Sequence, residues 1–354
     1  MATVIPERVE RVAAEPAPAD APKKRIRVSN PYEQKGWLKK LFFHKKIFGG
    51  AIDHAVIKGI GEYYVRILRR EPDRLFRWIE IETINQCNST CSFCPVNKKD
   101  DPRERAYMTD ALFTKIVDEL ADLDYTGRLA LYSNNEPLLD PRIVERVAYA
   151  KKMCPNAEVY ILTNGTKLTT KIALDLLDAG IDYIKIDNYS DRLKLHKNVE
   201  QVIADIENHE DGKYCDRVFV VKRLLDEVLS NRGGSAPNKD ASLQKETYEH
   251  YADSSCAYPF TQMIIRPTGK VSLCCNDALG KATMGDVSKK SLVEVWQGKA
   301  FKKTREELVT NGRKNMSICN TCDVFTSDPD VLLENNVAAR AVNRIFKIRQ
   351  KHWK

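Results

Sequence analysis

Residues 78–94 read Trp78-Ile-Glu-Ile-Glu-Thr-Ile-Asn-Gln-Cys87-Asn-Ser-Thr-Cys91-Ser-Phe-Cys94. Isoleucine and glutamate alternate in the first part, which is the pattern of a β-strand with one buried face. The cysteines that follow have the spacing C-x3-C-x2-C. Three thiolates this close together can bind one face of an iron–sulfur cluster, whereas a closed cluster or a structural zinc site normally takes four ligands. One metal corner is therefore predicted to be open to another molecule.

The cysteine motif, with Phe93 before its last cysteine, resembles the signature of the radical S-adenosylmethionine (radical SAM) enzymes. The resemblance implies a 4Fe-4S cluster whose open iron binds the amino and carboxylate groups of S-adenosylmethionine. It also implies formation of a 5′-deoxyadenosyl radical that removes hydrogen from an unactivated carbon, with the protein positioning the reactants. Two other interpretations stay open from the residues alone: a zinc site with a fourth ligand from elsewhere, or three cysteines in the core.

The length and composition fit an intracellular metalloprotein. The 354 residues suffice for one large α/β domain and a smaller one. No apolar run approaches the ~18–20 residues of a membrane span, and the first residues lack the apolar segment of a secretory signal. We therefore expect a cytoplasmic protein. The ten cysteines favour metal binding over disulfides in a reducing compartment.

The net charge of +8 comes from one segment near the N-terminus. Residues 23–48 contain nine Lys or Arg and one acid, Glu33, so the rest of the chain is neutral overall. A nucleic-acid-binding face would spread positive charge over a domain, and we expect no nucleic-acid partner.

The N-terminal region divides into two predicted parts. Residues 1–30 are rich in Ala, Pro and charge and are predicted to be a disordered tail. Residues 31–74 are predicted to form a basic helical extension. Within it, residues 35–48 mix aromatic, aliphatic and basic side chains, a pattern that fits either weak contact with a membrane surface or a helix packed on the barrel.

Strand-like and helix-like segments alternate from residue 77 to residue 221. Repeated βα units predict a parallel sheet whose functional loops follow the carboxyl ends of the strands. The family resemblance makes this an α/β fold, a partial (β/α)6 radical SAM barrel over residues 75–235. The predicted strands are Trp78–Ile84, Leu129–Tyr132, Val159–Leu162, Tyr183–Ile186 and Arg217–Val221. The predicted helices are one N-capped by Thr109, Ile143–Met153, Lys171–Ala179 and one near Val199–Ile206.

Several polar residues follow these strands where the family binds S-adenosylmethionine. The run Asn134-Asn135-Glu136 stands where radical SAM enzymes carry a Gly-Gly-Glu-type turn that holds the methionine ammonium. Asn tolerates left-handed backbone geometry, so the turn can survive without the glycines. The resemblance implies cofactor binding by Asn135, Glu136, Thr163, Asn164 and Asp187. The alternatives are a solvated acid at Glu136, an ordinary Asn-Gly turn at 164–165 and a helix-entry role for Asp187.

A second group of cysteines lies beyond residue 235. The segment 236–330 resembles the SPASM or twitch extension of radical SAM enzymes, including the step from Gly269 to Cys274. No cysteine follows Cys322, which fits a single auxiliary 4Fe-4S cluster. A helix is predicted for 331–354. The predicted ligands are Cys256, Cys274, Cys319 and Cys322, with Cys275 as the alternative to Cys274; taken alone, the four would equally suggest zinc.

A closed second cluster favours electron transfer over substrate binding. Oxidation of a carbon radical needs an electron acceptor and a proton acceptor within hydrogen-bond reach. The linker around Arg232 joins the two halves, and its flanking Gly233 and Gly234 permit close backbone approach. Arg232 is therefore our candidate for a substrate contact and for assisting deprotonation; the alternative is a basic residue in a hinge.

Within the superfamily the chain resembles the aminocyclitol dehydrogenase group, typified by 2-deoxy-scyllo-inosamine dehydrogenase. The resemblance implies oxidation of a sugar- or cyclitol-like alcohol and an external one-electron reductant of flavodoxin or ferredoxin type. One alternative is a radical SAM peptide or protein maturase, with a peptide substrate in place of a small molecule. The other is a non-enzymatic zinc or iron–sulfur binding protein.

Overall fold

The structure is a computed structural model, which describes residues 24–31, 66, 70, 74–227, 229–237 and 255–324. Most of the predicted tail lies outside these residues. So do the predicted membrane-contacting segment 35–48, nearly all of the extension 31–74 and the predicted helix 331–354. Those interpretations remain predictions.

One nine-stranded sheet runs through the described residues in the order β1-β6-β5-β4-β3-β2-β7-β8-β9. Neighbouring strands from β1 to β7 are parallel, and β8 and β9 are antiparallel to their neighbours. The strands are β1 (Arg27–Ser29), β2 (Trp78–Ile81), β3 (Arg128–Ala130), β4 (Glu158–Thr163), β5 (Tyr183–Tyr189), β6 (Val218–Arg223), β7 (Gln262–Ile265), β8 (Lys270–Ser272) and β9 (Thr283–Asp286).

Helices connect the parallel strands. Thr109 caps the first helix, accepting the N–H of Leu112 at 3.2 Å as its sequence predicted. The helix then buries Phe113, Ile116 and Leu120 against the sheet. The α-helices are α1 (Asp110–Asp122), α2 (Ile143–Met153), α3 (Thr170–Asp178), α4 (Lys197–Asn208), α5 (Tyr258–Thr261), α6 (Leu292–Trp296) and α7 (Lys299–Thr310). Short 3-10 helices occupy Pro137–Leu139, His209–Gly212 and Cys215–Arg217.

The period-2 pattern of the strands separates an apolar layer from a polar interior. Alternate strand residues pack in the main core with the helices: Ile79, Ile81, Leu129, Val159, Ile161, Ile184, Ile186, Val218, Val220, Met263 and Ile265. The side chains at the intervening positions, such as Glu80 and Arg128, point to the other face of the sheet, because successive side chains on a strand point to opposite faces. This second face carries much of the chemistry described below.

The sheet is larger than predicted at both of its ends. Residues 27–29 form β1, which pairs with β6, so the prediction of disorder is wrong for this stretch. Beyond residue 235, β7 pairs in parallel with β2 and joins the second part of the chain to the barrel sheet. The division at 75–235 and 236–330 is a prediction that these pairings do not test.

An aromatic cluster packs the C-terminal part onto the barrel. The ring of Trp296 lies 5.4 Å from Phe76 and 4.9 Å from Phe301, between ring centroids. Its indole Nε1 donates to the carbonyl of Arg74 at 2.9 Å. Within the described part of the chain, no helix is long and apolar enough to cross a membrane.

Candidate active site

The loop after β2 carries Cys87, Cys91 and Cys94, which we call the thiol triad. Ser89 organises two of these thiols: its N–H donates to Cys87 Sγ at 3.4 Å, and its Oγ lies 3.0 Å from Cys91 Sγ. Asn97 Nδ2 donates to the Cys94 carbonyl at 2.7 Å. Burial raises the pKa of Cys87 to about 12. The thiol is therefore protonated at neutral pH in the metal-free protein, and metal binding must displace the proton.

Glu136 connects the ends of β3 and β4 above the triad. Its carboxylate accepts hydrogen bonds from Thr163 Oγ1 and from the Asn164 N–H, both at 2.7 Å. The Leu138 N–H donates to it at 3.0 Å. The side chain is buried, and burial raises the pKa of its carboxyl to about 6. The structure thus brings three of the predicted cofactor-binding residues together, with the carboxylate engaged by protein donors.

The turn after β4 is also bonded to the triad loop. Asn164 Nδ2 donates to Asn88 Oδ1 at 2.8 Å and lies 4.0 Å from Cys87 Sγ. Asn88 Nδ2 in turn donates to Thr166 Oγ1 at 2.8 Å. The predicted nucleoside-binding turn therefore has a second role, which is to fix the position of the first cysteine.

Buried polar groups near this edge of the sheet fit a polar ligand. Asn135 Nδ2, Gln86 Nε2 and Asp187 Oδ1 have no hydrogen-bond partner among the described residues. An unpaired buried donor or acceptor costs roughly 1–3 kcal/mol. A molecule with ammonium, carboxylate and hydroxyl groups would supply the partners, so these residues fit S-adenosylmethionine. Gln86 was missed from the sequence, although it directly precedes Cys87.

The second cysteine group lines a cavity in the C-terminal part of the chain. We call Cys256, Cys274, Cys319 and Cys322 the cavity thiols, because all four contribute to its wall. Within the described ranges, no three His, Cys, Asp or Glu side chains are arranged around a single metal ion. Four thiols spaced around a cavity fit a polynuclear cluster, which places several atoms between its ligands.

A buried cation faces the same cavity. Arg313 is 1% exposed and lines the cavity with the four thiols. Four thiolates outweigh the positive charge of a 4Fe-4S core, so the ligated cluster is an anion. An anionic cluster in the cavity would therefore compensate the buried positive charge of Arg313. The four thiols and this cation fit such a cluster.

Cys275 has a different environment from Cys274. It is absent from the cavity wall, and the charges of Glu80 and Arg232 act on its thiol. Its N–H donates to Gln262 Oε1 at 3.2 Å, and its carbonyl accepts from Asn134 Nδ2 at 3.2 Å. The geometry therefore favours Cys274 over Cys275 as the cluster ligand.

Arg232 reaches from the second part of the chain to the barrel. Its Nη1 donates to Asn134 Oδ1 at 3.0 Å. Its backbone has a φ of +51°, which is strained for a residue with a side chain. Next to it, the Asn231 N–H donates to Asp323 Oδ1 at 2.8 Å, and a Cβ on Gly233 would lie 2.5 Å from Ile318 Cγ2. The Arg232 loop is thus packed on the segment that carries Cys319 and Cys322.

Glu80 is a functional candidate that our sequence analysis missed. The carboxyl is 3% exposed, accepts a hydrogen bond from Ser133 Oγ, and has the charge of Arg232 nearby. Burial raises its pKa to about 7, against the lowering effect of Ser133 and Arg232. The signal was present in the alternation of β2, which places Glu80 on the face opposite Ile79 and Ile81.

Arg103 joins the loops around this centre. Its guanidinium donates to the carbonyl of Asn134 at 2.9 Å, to Glu82 Oε1 at 3.3 Å and to the carbonyl of Ala278 at 3.3 Å. The ion pair with Glu82 is buried, and removing one partner of such a pair is strongly destabilising. Arg103 therefore fixes the Asn134 loop relative to both thiol groups.

Comparisons with known proteins agree with this arrangement. The model of the radical SAM superfamily matches residues 81–209, and the model of SPASM, an iron–sulfur cluster-binding domain, matches residues 256–323. The chain therefore carries a radical SAM domain and a SPASM domain.

Three matches illustrate the range of similar proteins. An S-adenosyl-L-methionine-dependent 2-deoxy-scyllo-inosamine dehydrogenase from Niallia circulans is 29% identical over 251 residues, which cover 71% of this chain and 94% of the relative. The crystal structure of BtrN in complex with AdoMet and 2-DOIA matches with a TM-score of 0.60 and 28% identity, over 71% of this chain and 94% of that one. A GTP 3′,8-cyclase from Chlorobaculum tepidum is 29% identical over 157 residues, or 44% of this chain and 42% of the relative.

The domain matches and the dehydrogenase relative confirm several predictions. The fold class, the radical SAM oxidoreductase class, and the cofactor set of S-adenosylmethionine, a 4Fe-4S cluster and iron–sulfur in the second domain are as predicted. The roles of individual residues stay predictions.

Proposed function

We propose that the protein oxidises a secondary alcohol of a sugar- or cyclitol-like molecule to a ketone. One observation carries the proposal: the charge of Arg232, whose loop packs on the segment with Cys319 and Cys322, acts on the buried carboxyl of Glu80, which belongs to the strand that leads into the thiol triad. Arg232 belongs to a loop bonded to the segment of the cavity thiols, and its side chain ends at Asn134 of the barrel. A substrate bound there would have a site for hydrogen removal on one side and an electron acceptor on the other.

The cofactors are assigned to residues by the fit described above. The thiol triad would ligate the first 4Fe-4S cluster, and Gln86, Asn135 and Asp187 would offer polar contacts to S-adenosylmethionine. Glu136, Thr163 and Asn164 would hold the surrounding loops. The cavity thiols would ligate one auxiliary 4Fe-4S cluster. When bound, these groups supply removal of a hydrogen atom from carbon at the first site and acceptance of one electron at the second.

The protein must bind the alcohol and remove its hydroxyl proton. The guanidinium of Arg232 can orient the oxygen and stabilise negative charge on it but is a poor base. Glu80 is suited to accept the proton, because a base works best when its pKa lies near the operating pH and that of Glu80 is raised to about 7. A hydrogen atom, an electron and a proton then leave the alcohol, which is the balance of a two-electron oxidation to a ketone.

Two features favour a small polar substrate over a peptide. The centre is walled by buried side chains from several strands, including Glu80, Asn134 and Asp187. The dehydrogenase from Niallia circulans, which matches this chain over 94% of its length, is named for a cyclitol amine substrate. A peptide- or protein-modifying role is the second candidate.

Two further parts of the proposal concern the cell. An external one-electron reductant of flavodoxin or ferredoxin type is needed, because the reaction begins with reduction of the first cluster. We place the protein in the cytoplasm because free cysteine ligands persist in a reducing compartment. Contact of residues 35–48 with a membrane surface is a separate possibility that this function does not require.

The test is anaerobic reconstitution followed by turnover with deuterated substrates. We expect about eight irons per chain and 5′-deoxyadenosine on reduction. A panel of cyclitols and sugars, deuterated at each carbinol carbon, should contain one that transfers deuterium into 5′-deoxyadenosine and yields a ketone. Transfer from a peptide alone would favour the second candidate. A zinc-only protein that leaves S-adenosylmethionine intact would contradict both.

A further inference from the structure

We infer that Arg313 is the cationic partner of the auxiliary cluster and raises its reduction potential, so that the cluster can take the substrate electron. Arg313 follows helix α7, in the turn that leads to Cys319 and Cys322. It is among the largest fully buried side chains of the described residues. A guanidinium cannot lose its charge in a protein, so the cost of burying it must be offset by its surroundings.

The protein supplies only part of that compensation. Arg313 Nη1 donates to the carbonyls of Val324 at 2.8 Å and Cys322 at 3.4 Å, and Nη2 donates to the carbonyl of Ser255 at 3.3 Å. Its Nε has no hydrogen-bond partner among the described residues. Within the same residues no Asp or Glu forms an ion pair with it. Among the residues that the structure describes, the cation is therefore surrounded by oriented carbonyl dipoles, with no carboxylate at ion-pair distance.

We predict that the negative charge that pairs with the Arg313 guanidinium is held in the cavity that this side chain lines. Its carbonyl partners belong to Cys322 itself and to Ser255, the residue before Cys256. A thiolate-ligated cluster in the cavity would complete the ion pair.

The effect on redox chemistry follows from charge. Reduction adds one negative charge to the cluster, and a fixed cation in a buried, low-dielectric setting stabilises the reduced form more than the oxidised form. Asp277 and Asp323 oppose this effect, and backbone N–H dipoles offset part of their negative charge. Asp277 accepts backbone hydrogen bonds from Lys281 at 2.7 Å and Ala282 at 3.0 Å, and Asp323 accepts one from Asn231 at 2.8 Å. Arg313 therefore makes the cluster a better electron acceptor.

The chain offers a matched control for this inference. Arg305 is a second, partly buried guanidinium of the same domain, but it is absent from the cavity wall. It stacks on Trp296 at 4.0 Å and donates to the carbonyls of Pro259 at 2.8 Å and Trp296 at 2.9 Å. Arg305→Gln removes the same chemical group at a comparable cost in packing, without removing a charge that faces the thiols.

The experiment is an anaerobic redox titration of the auxiliary cluster, followed by electron paramagnetic resonance. It uses the full chain with Cys87, Cys91 and Cys94 all changed to Ala, so that only the second cluster gives a signal. Arg313→Gln should weaken reduction at least tenfold, which is a potential lower by about 59 mV for a one-electron couple. Arg313→Lys should recover most of the shift, and Arg305→Gln should leave the potential unchanged.

Each outcome decides the inference. Equal potentials in the Arg313→Gln protein and its parent would overturn it, as would an equal shift in Arg305→Gln. If Arg313→Gln loads no iron, the Arg313→Lys protein decides the question. Restored iron loading in Arg313→Lys supports the cationic role. If both variants fail to load iron while Arg305→Gln loads normally, the guanidinium has a purely geometric role and the inference is overturned. The inference rests on the proposed electron-acceptor role, but the potential is measured without substrate. A missing shift would leave the proposed oxidation standing, and a missing ketone would leave a measured shift standing.

Discussion

The two thiol sites differ in how the chain builds them. The triad comes from one loop, and its three thiols are separated by only a few residues. The cavity thiols come from three separated segments, which the fold of the second domain brings around one cavity. Near the triad lie buried polar groups of the barrel loops that have no hydrogen-bond partner among the described residues, whereas the cavity thiols lie near the buried Arg313. An incomplete ligand set next to unpaired polar groups suits a site that binds a reactant, and a complete set next to a fixed charge suits electron transfer.

The largest effect should come from removing the triad. With Cys87, Cys91 and Cys94 all changed to Ala, 5′-deoxyadenosine formation should fall to background because no open iron remains, while about four irons per chain stay at the second site. Iron analysis and chromatography of the cleavage product measure both quantities. Cys154→Ala is the control, since this cysteine is buried in the barrel core and should leave cleavage intact. Cleavage that survives the triple change would remove the distinction between the two sites.

A pair of adjacent substitutions tests the second site. Cys274→Ala should lose the auxiliary cluster, about four of about eight irons, because this thiol lines the cavity. Cys275→Ala should keep all the iron, because its thiol does not line the cavity. The reverse result would assign the ligand to Cys275 and would mean that the Cys274 side chain only packs.

The third prediction concerns the residues between the sites. Glu80 can accept a proton only when ionised, so the rate of ketone formation should rise with pH through about 7, the raised pKa of this carboxyl, and level off above it. Glu80→Gln should remove this rise and lower ketone formation by roughly 10²–10⁴-fold, the usual size of a general-base contribution. A pH series of initial rates measures it.

Two controls make the result for Glu80 specific. The Glu80→Gln protein should still form 5′-deoxyadenosine, since Glu80 is assigned no part in binding the first cluster. Glu158→Gln alters another acid of the barrel strands, one paired with Arg128 at 3.0 Å and partly exposed, and should leave the pH profile unchanged. A profile that keeps its rise in Glu80→Gln would assign the proton to another group.

The comparison also explains what the sequence could predict. The triad was predictable because its ligands are local, and the helices and strands because period-3.6 and period-2 patterns mark their buried faces. The sequence could not decide whether Cys274 or Cys275 is the cluster ligand, because the directions of two neighbouring side chains are set only by the folded chain. Glu80, Arg103 and Arg313 were missed because their roles depend on contacts between distant segments. Strand β1 was missed because three residues of an otherwise polar tail carry little periodic signal.

The smallest predicted effect tests the connection between the sites. Asn231 joins the Arg232 loop to the Cys319–Cys322 segment: its N–H donates to Asp323 Oδ1 at 2.8 Å, and its Oδ1 accepts the Asp323 N–H at 3.2 Å. Asn231→Ala removes the side-chain part of this contact, and small displacements of a positioning group can cost up to ~100-fold in rate. Because the backbone bond and the packing of Gly233 on Ile318 remain, we expect only a loss of about tenfold in ketone formation.

Iron content and 5′-deoxyadenosine formation should not change, so the ratio of ketone to 5′-deoxyadenosine should fall. Asn208→Ala, which removes an exposed amide bonded within helix α4, should leave that ratio as it is. If both variants keep the ratio, Arg232 is positioned by its own strained backbone and not by the auxiliary cluster segment.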